Sequence, residues 1–208
     1  MAKSTKPRSA TSYKETAFGI IPRSKLIELE KEGVKKAQEY IIQLSDQRKK
    51  ITSEVILEVH KVGFAWIFPK WAGKFRTIDV TVGEYEPPHY NKIAELIKLL
   101  CDDLEERLKH LPSQGAQEQF LAEIISLIAW FQNRFVWIHP FQDYNGRVAR
   151  LLTNFILLNL GLPIASIKAD TGEDRDSYIQ AMKQADNHDY SKLENLLANA
   201  LKESLEKV

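Results

Sequence analysis

Cysteine is nearly absent: Cys101 stands alone in a chain of 208 residues. No internal disulfide can form, and no Cys/His cluster has the spacing of zinc ligands. That usage suits a reducing compartment, so a cytoplasmic protein is expected. A charge excess is missing too, since 29 Lys and Arg against 28 Asp and Glu leave a formal net charge of +1. Without a global basic field, nucleic acid is not an expected partner. Long apolar runs are also lacking: the stretch from Phe120 to Ile138 is interrupted by Glu123, Gln132, Asn133 and Arg134, which makes it too polar to cross a bilayer. No membrane partner is expected. Residues 1–12 carry Lys3, Lys6 and Arg8 with no acid and no apolar core, so they do not read as a secretory signal. They are expected to form a solvated arm.

What is present is helical periodicity. Apolar residues make up 44% of the chain, enough for one core, and the length suits one domain with a short attachment. The division predicted is an arm over 1–23 and a domain over 24–208. From Ser24, read as an N-cap, to about Gln47, the residues Leu26, Leu29, Val34, Ala37, Ile41 and Leu44 recur at helical steps. Further helices are predicted over Thr52–Val62, Tyr90–Lys109, Gln117–Trp137, Gly146–Leu160, Glu173–Asp186 and Ser191–Leu205, the last opened by a Ser191…Glu194 capping box. The segments around Ile124–Phe131 and Leu151–Leu160 are apolar on nearly all sides and belong in the middle of the fold. Strand-like alternation occurs once, over Phe75–Val82, and predicts a short β-hairpin or extended flap. The fold class is therefore mainly α, a helical bundle with a β-hairpin flap.

Chemistry concentrates between the two central helices, in His139-Pro140-Phe141-Gln142-Asp143-Tyr144-Asn145-Gly146-Arg147-Val148-Ala149-Arg150. Asn145 reads as an N-cap, which leaves the free N–H groups of the next helix and its positive dipole end facing the loop. Such an end holds anions, typically phosphate. Arg147 and Arg150 lie three residues apart and project from one face, where two guanidinium forks can clamp phosphate oxygens. Asp143 offers a hard oxygen suited to Mg²⁺ on a polyphosphate, and His139 can accept a proton near neutral pH. The set points to transfer of a phosphorus-containing group to a hydroxyl.

This segment resembles the signature of the Fic family, His-x-Phe-x-(Asp/Glu)-Gly-Asn-Gly-Arg-x-x-Arg, at every fixed position except one. Trp71-Ala72-Gly73-Lys74-Phe75-Arg76-Thr77 with Pro87-Pro88-His89 is similar to the family's flap region, with Lys74, Phe75, Arg76 and Thr77 as flap residues. The helix ending Gly161-x-Pro163 and the segment Asp174 to Tyr178 are similar to its later core, so the resemblance covers about 52–201. It implies a protein adenylyltransferase that moves AMP from Mg-ATP to a Ser, Thr or Tyr hydroxyl of a target protein. By position His139 becomes the general base, Asp143 the Mg²⁺ ligand, and Asn145, Gly146 and the residue at 144 the phosphate cradle. Arg147 and Arg150 would hold the distal phosphates. The same parts could transfer another phosphate-containing group, or persist in a regulatory module that no longer catalyses.

The exception is Tyr144, where the family has glycine. Glycine there permits positive φ and close approach to phosphate, whereas an aromatic in that conformation is an outlier. Either the loop backbone differs or the cradle is altered. The family also includes chains with an inhibitory helix, (Ser/Thr)-x-x-x-Glu-(Gly/Asn), whose glutamate pairs with the second motif arginine. Thr11-Ser12-Tyr13-Lys14-Glu15-Thr16 lies where that helix would stand, so the expectation is that Glu15 pairs with Arg150. The partners implied are the target protein, ATP, an antitoxin-like inhibitor and a second copy of the chain.

Overall fold

The computed structural model describes residues 3–4, 15–113, 117–169 and 172–207. Among these, the chain is organised around the two helices whose sequences are apolar on nearly all sides, α4 (Gln117–Ile138) and α5 (Asn145–Asn159). They pack on each other, and their contact is pinned by a buried bond in which the Thr153 hydroxyl donates to Gln132 Oε1 at 2.9 Å. Around them stand α1 (Arg23–Asp46), α2 (Ser53–Phe64), α3 (Ile93–Lys109), α6 (Gly172–Ala185) and α7 (Ser191–Leu205). Helix α1 packs on α2 and α5, α3 and α7 flank α4, and α6 pairs with α7. A mainly helical fold is thus what the sequence produces, with helix limits within a few residues of those read from periodicity.

Two glycines set the height of α1 above the site. A Cβ on Gly33 would stand 2.2 Å from the carbonyl oxygen of Gly63, so α1 and α2 cross with backbones touching. Only hydrogen fits at that crossing. The inward stripe of α1 is Leu26, Glu30, Gly33, Ala37, Ile41 and Leu44. The close crossing at Gly33 therefore drives Glu30, one turn before it, into the interior beside the start of α5.

Three local expectations are corrected. Helix α1 is preceded by Pro22, whose side chain makes no capping bond, so Ser24 lies inside the first turn and is not its cap. The Ser191…Glu194 capping box does not form, because Asp189 Oδ1 takes both the Ser191 N–H at 3.1 Å and its hydroxyl at 2.6 Å. Glu194 instead accepts from the Ser126 hydroxyl on α4 at 2.8 Å.

The third correction concerns the flap. No paired hairpin spans Phe75–Val82. Strand β2 (Val80–Thr81) pairs in parallel with β1 (Lys3–Ser4), with Lys3 opposite Val80 and Ser4 opposite Thr81. The arm thus contributes a strand at these two residues. Beyond β2 the chain turns through a single antiparallel bridge between Val82 and Tyr85. The physical reason lies at Arg76, whose side chain is fully buried and holds backbone carbonyls on both sides of the turn. That inward pull takes residues 75–79 out of strand register. Trp66 and Trp71 pack half-buried against the core, and Phe68 is fully within it, as expected for core aromatics.

Candidate active site

His139 follows the last residue of α4 and adopts a left-handed conformation, φ 52°. For a residue with a Cβ this costs about 1–2 kcal/mol. The geometry compensates by capping the helix: the His139 N–H donates to Phe135 O at 3.1 Å, and the ring approaches Val136 O with Nδ1 at 3.2 Å. A carbonyl can only accept, so Nδ1 carries the proton and Nε2 is left with its lone pair. Burial, the largest influence, pulls the imidazole pKa down to about 4; the nearby Arg76 charge adds to this and the Val136 bond opposes it. His139 is therefore neutral at physiological pH, in the tautomer a general base requires.

The loop that follows is locked from three directions. Phe141 is fully buried and stacks on the His60 ring at 3.8 Å with the planes 6° apart. Asn145 closes the loop on itself: its Oδ1 accepts from the Phe141 N–H and its Nδ2 donates to the Phe141 carbonyl, both at 2.9 Å. Helix α5 begins at Asn145, one residue earlier than its reading as N-cap requires, and the amide is engaged with the loop. His60, on α2, accepts from the Gly73 N–H through Nδ1 at 2.8 Å, which puts its proton on Nε2 for the Asp143 carbonyl at 3.2 Å. One buried ring thus joins α2, the approach to the flap and the motif loop.

Asp143 and Tyr144 form the transition into α5. Tyr144 occupies the N-cap position with φ 65° and ψ 11°, so the left-handed backbone that suits glycine is retained with an aromatic in place. The ring is what compensates. It stacks on Phe64 at 4.1 Å between Phe68 and Trp71, and its hydroxyl donates to Glu30 Oε1 at 2.8 Å. Asp143 Oδ1 accepts from the Tyr144 N–H at 2.7 Å. Burial raises the Asp143 carboxyl to about 6, against the lowering effects of that N–H and of Arg147. At Gly146 an added Cβ would meet nothing nearer than Arg150 Nη1 at 3.7 Å, an ordinary contact, so no other element packs tightly on that side of the first turn.

Arg147 is held by α1. Its Nη2 donates to Glu30 Oε2 at 3.0 Å, and its guanidinium lies 5.2 Å from the Tyr144 ring centre. Its Nη1 is buried with no hydrogen-bond partner among the described residues. Arg150 lies over the Tyr178 ring at 5.7 Å. Glu15, expected on Arg150, sits instead at the surface with its carboxylate on Lys70 Nζ at 2.6 Å; Thr11 to Lys14 lie outside the described residues. Of the four flap residues, Lys74 and Thr77 are exposed, Phe75 packs 6.0 Å from Phe141, and Arg76 alone bonds to His139.

Two residues of this site are not singled out by the motif, although the sequence carries a signal for both. Glu30 is an acid in the inward stripe of α1. His60 is a titratable group on the buried face of α2, between Val59 and Gly63. A divalent cation is compatible with what is here. No cluster of three or more His, Cys, Asp or Glu side chains able to hold a metal exists among the described residues, yet Asp143 alone, a half-buried hard oxygen whose ionisation is opposed by desolvation, suits Mg²⁺ completed by phosphate and water. No helix among the described residues is long and apolar enough to cross a membrane.

Comparison with known proteins gives the same assignment from outside the geometry. The model of the Fic/DOC family matches residues 50–157, just over half the chain. A protein adenylyltransferase Fic of Nematostella vectensis is 29% identical over 176 residues, covering 84% of this chain but only 38% of that protein. Among solved structures, Fic-1 from C. elegans superposes with a TM-score of 0.67 at 26% identity over 84% of this chain and 48% of that one. The Bartonella tribocorum effector BepC, solved with bound AMPPNP, gives 0.64 at 18% identity over 93% and 94%. Because the family match covers more than half of the chain, from just after α1 through α2, the flap and the loop between α4 and α5 into α5 itself, the chain belongs to the Fic/DOC family.

Proposed function

We propose that the protein transfers AMP from ATP to a Ser, Thr or Tyr hydroxyl of a target protein. The observation that carries this reading is the contact of His139 Nδ1 with the Val136 carbonyl, which leaves Nε2 as the nitrogen able to accept a proton. An imidazole neutral at pH 7, with Nδ1–H spent on Val136 and Nε2 unprotonated, is prepared to take a proton from an attacking hydroxyl. The hydroxyl oxygen bonds to the α-phosphorus, the bond from that phosphorus to the bridging oxygen breaks, pyrophosphate leaves, and the hydroxyl proton passes to His139 Nε2. The amino end of α5, where no other element packs tightly on Gly146, suits the phosphates electrostatically. The unpartnered Nη1 of Arg147 is a buried donor that a phosphate oxygen would satisfy. Asp143 would hold Mg²⁺, which supplies charge neutralisation on the polyphosphate. The adenylyltransferase name of the sea-anemone relative and the ATP analogue in BepC support the choice of nucleotide and transferred group.

The blocking role that the resemblance implies for Glu15 is better suited to Glu30. Its carboxylate already takes one face of Arg147, so a triphosphate that uses this arginine competes with α1. In this reading the state described is a resting one, and activity depends on loosening α1.

The test is incubation of the protein with a cell lysate, Mg²⁺ and ATP labelled separately at the α- or γ-phosphate, beside His139→Ala. Label passing to protein from the α position only, and only with His139 present, is expected. Label from γ would mean phosphorylation. Label from neither, in the wild type and in Glu30→Gln alike, would favour a non-catalytic module.

A further inference from the structure

Arg76 belongs to the flap in sequence, yet its side chain has no solvent exposure. A buried guanidinium must spend its donors on acceptors, and this one spends them on three backbone carbonyls. Nε donates to His139 O at 2.8 Å, Nη1 to Ile78 O at 2.9 Å, and Nη2 to Pro88 O. Its own backbone N–H donates to Pro140 O at 2.9 Å. Ile78 and Pro88 lie at the two ends of the segment carrying β2 and the Val82–Tyr85 turn, so one planar fork closes that segment at its base and grips the catalytic histidine. The remaining contact faces outward: Asp79 Oδ1 stands 3.5 Å from Nη1, and the same oxygen accepts from the Tyr90 N–H at 3.1 Å.

We propose that Arg76 is the positioning residue that ties the orientation of His139 to the position of the flap. His139 holds a left-handed backbone in which its carbonyl turns toward Arg76 while its ring turns toward Val136. Any displacement of the flap base moves the guanidinium, and the guanidinium moves the peptide that carries the imidazole. A target segment docking along the flap would therefore set the base as it delivers the hydroxyl, which rests on the transferase reading above. Lysine cannot replace this residue, because a single ammonium does not span three carbonyls in a plane.

The experiment compares Arg76→Lys and Asp79→Asn with the wild type, each checked for folding by its thermal midpoint. Three quantities are read: kcat for transfer, affinity for a non-hydrolysable ATP analogue, and the titration of the His139 imidazole by NMR, with the resonance assigned through His139→Ala. For Arg76→Lys the expected result is a fall in kcat of about tenfold to a hundredfold, the size expected for misplacing a reacting group by about an ångström. Nucleotide affinity stays within about twofold, and the imidazole titrates at higher pH than in the wild type. Asp79→Asn, which perturbs the flap without touching His139, shifts the imidazole resonances in the same sense with a smaller loss of kcat. The proposal is overturned if folded Arg76→Lys leaves the imidazole unchanged, or if nucleotide affinity falls in step with kcat. Should the wild type transfer nothing at all, the transferase reading fails, and the imidazole titration still decides whether Arg76 controls His139.

Discussion

The two ends of the motif loop are held by different kinds of contact. At the His139 end the hydrogen bonds fall on backbone, beside the stacking of Phe141 on His60: Arg76 on the His139 carbonyl, His60 on the Asp143 carbonyl, Asn145 on both polar groups of Phe141. The bonds of Arg76 and Asn145 are buried and that of His60 is partly so, and none of them uses a group with which a phosphate would pair. At the α5 end the grip is between side chains, with Glu30 taking the Tyr144 hydroxyl and the Arg147 guanidinium. A carboxylate on an arginine is what a phosphate displaces. On the proposed reading, His139 is therefore held by contacts that do not involve the anion site, while Arg147 is held by a carboxylate that an anion or a shift of α1 would free.

The largest expected effect removes the fixed end outright. His139→Ala should reduce transfer by a factor of about 10² to 10⁴, the usual worth of a general base, with the fold intact by circular dichroism. Next comes Gly33→Ala, whose Cβ overlaps the Gly63 carbonyl at 2.2 Å. Overpacking a crossing of this kind costs about 1–3 kcal/mol, measured as a lower midpoint in urea, and by pushing α1 outward it should raise transfer relative to the folded fraction. Tyr144→Gly follows: it relieves a left-handed aromatic worth about 1–2 kcal/mol but removes a buried ring worth about 3–5 kcal/mol. The net result is a protein less stable by about 1–4 kcal/mol before the lost bond to Glu30 is counted, with an opened cradle. Tyr144→Phe isolates the hydroxyl and should cost about 1.5–3 kcal/mol, the range for a hydrogen bond to a charged group.

The smallest effect is on pH, read without divalent cations. Because the His139 pKa in the fold is about 4, below its ordinary 6.5, the unfolded chain binds the extra proton between those values. That contribution to stability is complete above pH 6.5 and is lost as pH falls to 4. Asp143 acts oppositely. Raised from 3.8 to about 6, it keeps its proton in the fold, so its contribution is present at low pH and is lost as pH rises through 6. The two slopes oppose each other in the wild type. Thermal midpoints between pH 4 and 6 should rise with pH in Asp143→Asn and fall with pH in His139→Ala.

The helices were readable because their apolar periodicity reports directly on burial, and α4 and α5 declared themselves central by being apolar on all sides. The motif loop was readable as a set of residue types. Its geometry was less so, since whether Asn145 caps a helix or closes a loop depends on one residue of register. The flap misled because alternation at Ile78, Val80 and Val82 is a local signal, while Arg76, whose charge suggests exposure, is drawn inward by carbonyls of its own segment, Ile78 and Pro88, and by that of His139, 63 residues away. Glu30 and His60 lay in plain view within apolar stripes. Their significance comes from the Gly33–Gly63 crossing and the stacking on Phe141, neither of which a single helix pattern encodes.

The most direct test of the two-ended account is calorimetric titration of a non-hydrolysable ATP analogue with Mg²⁺ into the wild type, Glu30→Gln and His139→Ala. If Glu30 competes with phosphate for Arg147 while His139 stands apart from nucleotide binding, Glu30→Gln binds about tenfold more tightly than the wild type and His139→Ala binds equally well. Equal affinity in Glu30→Gln and the wild type, or a marked loss in His139→Ala, would contradict it.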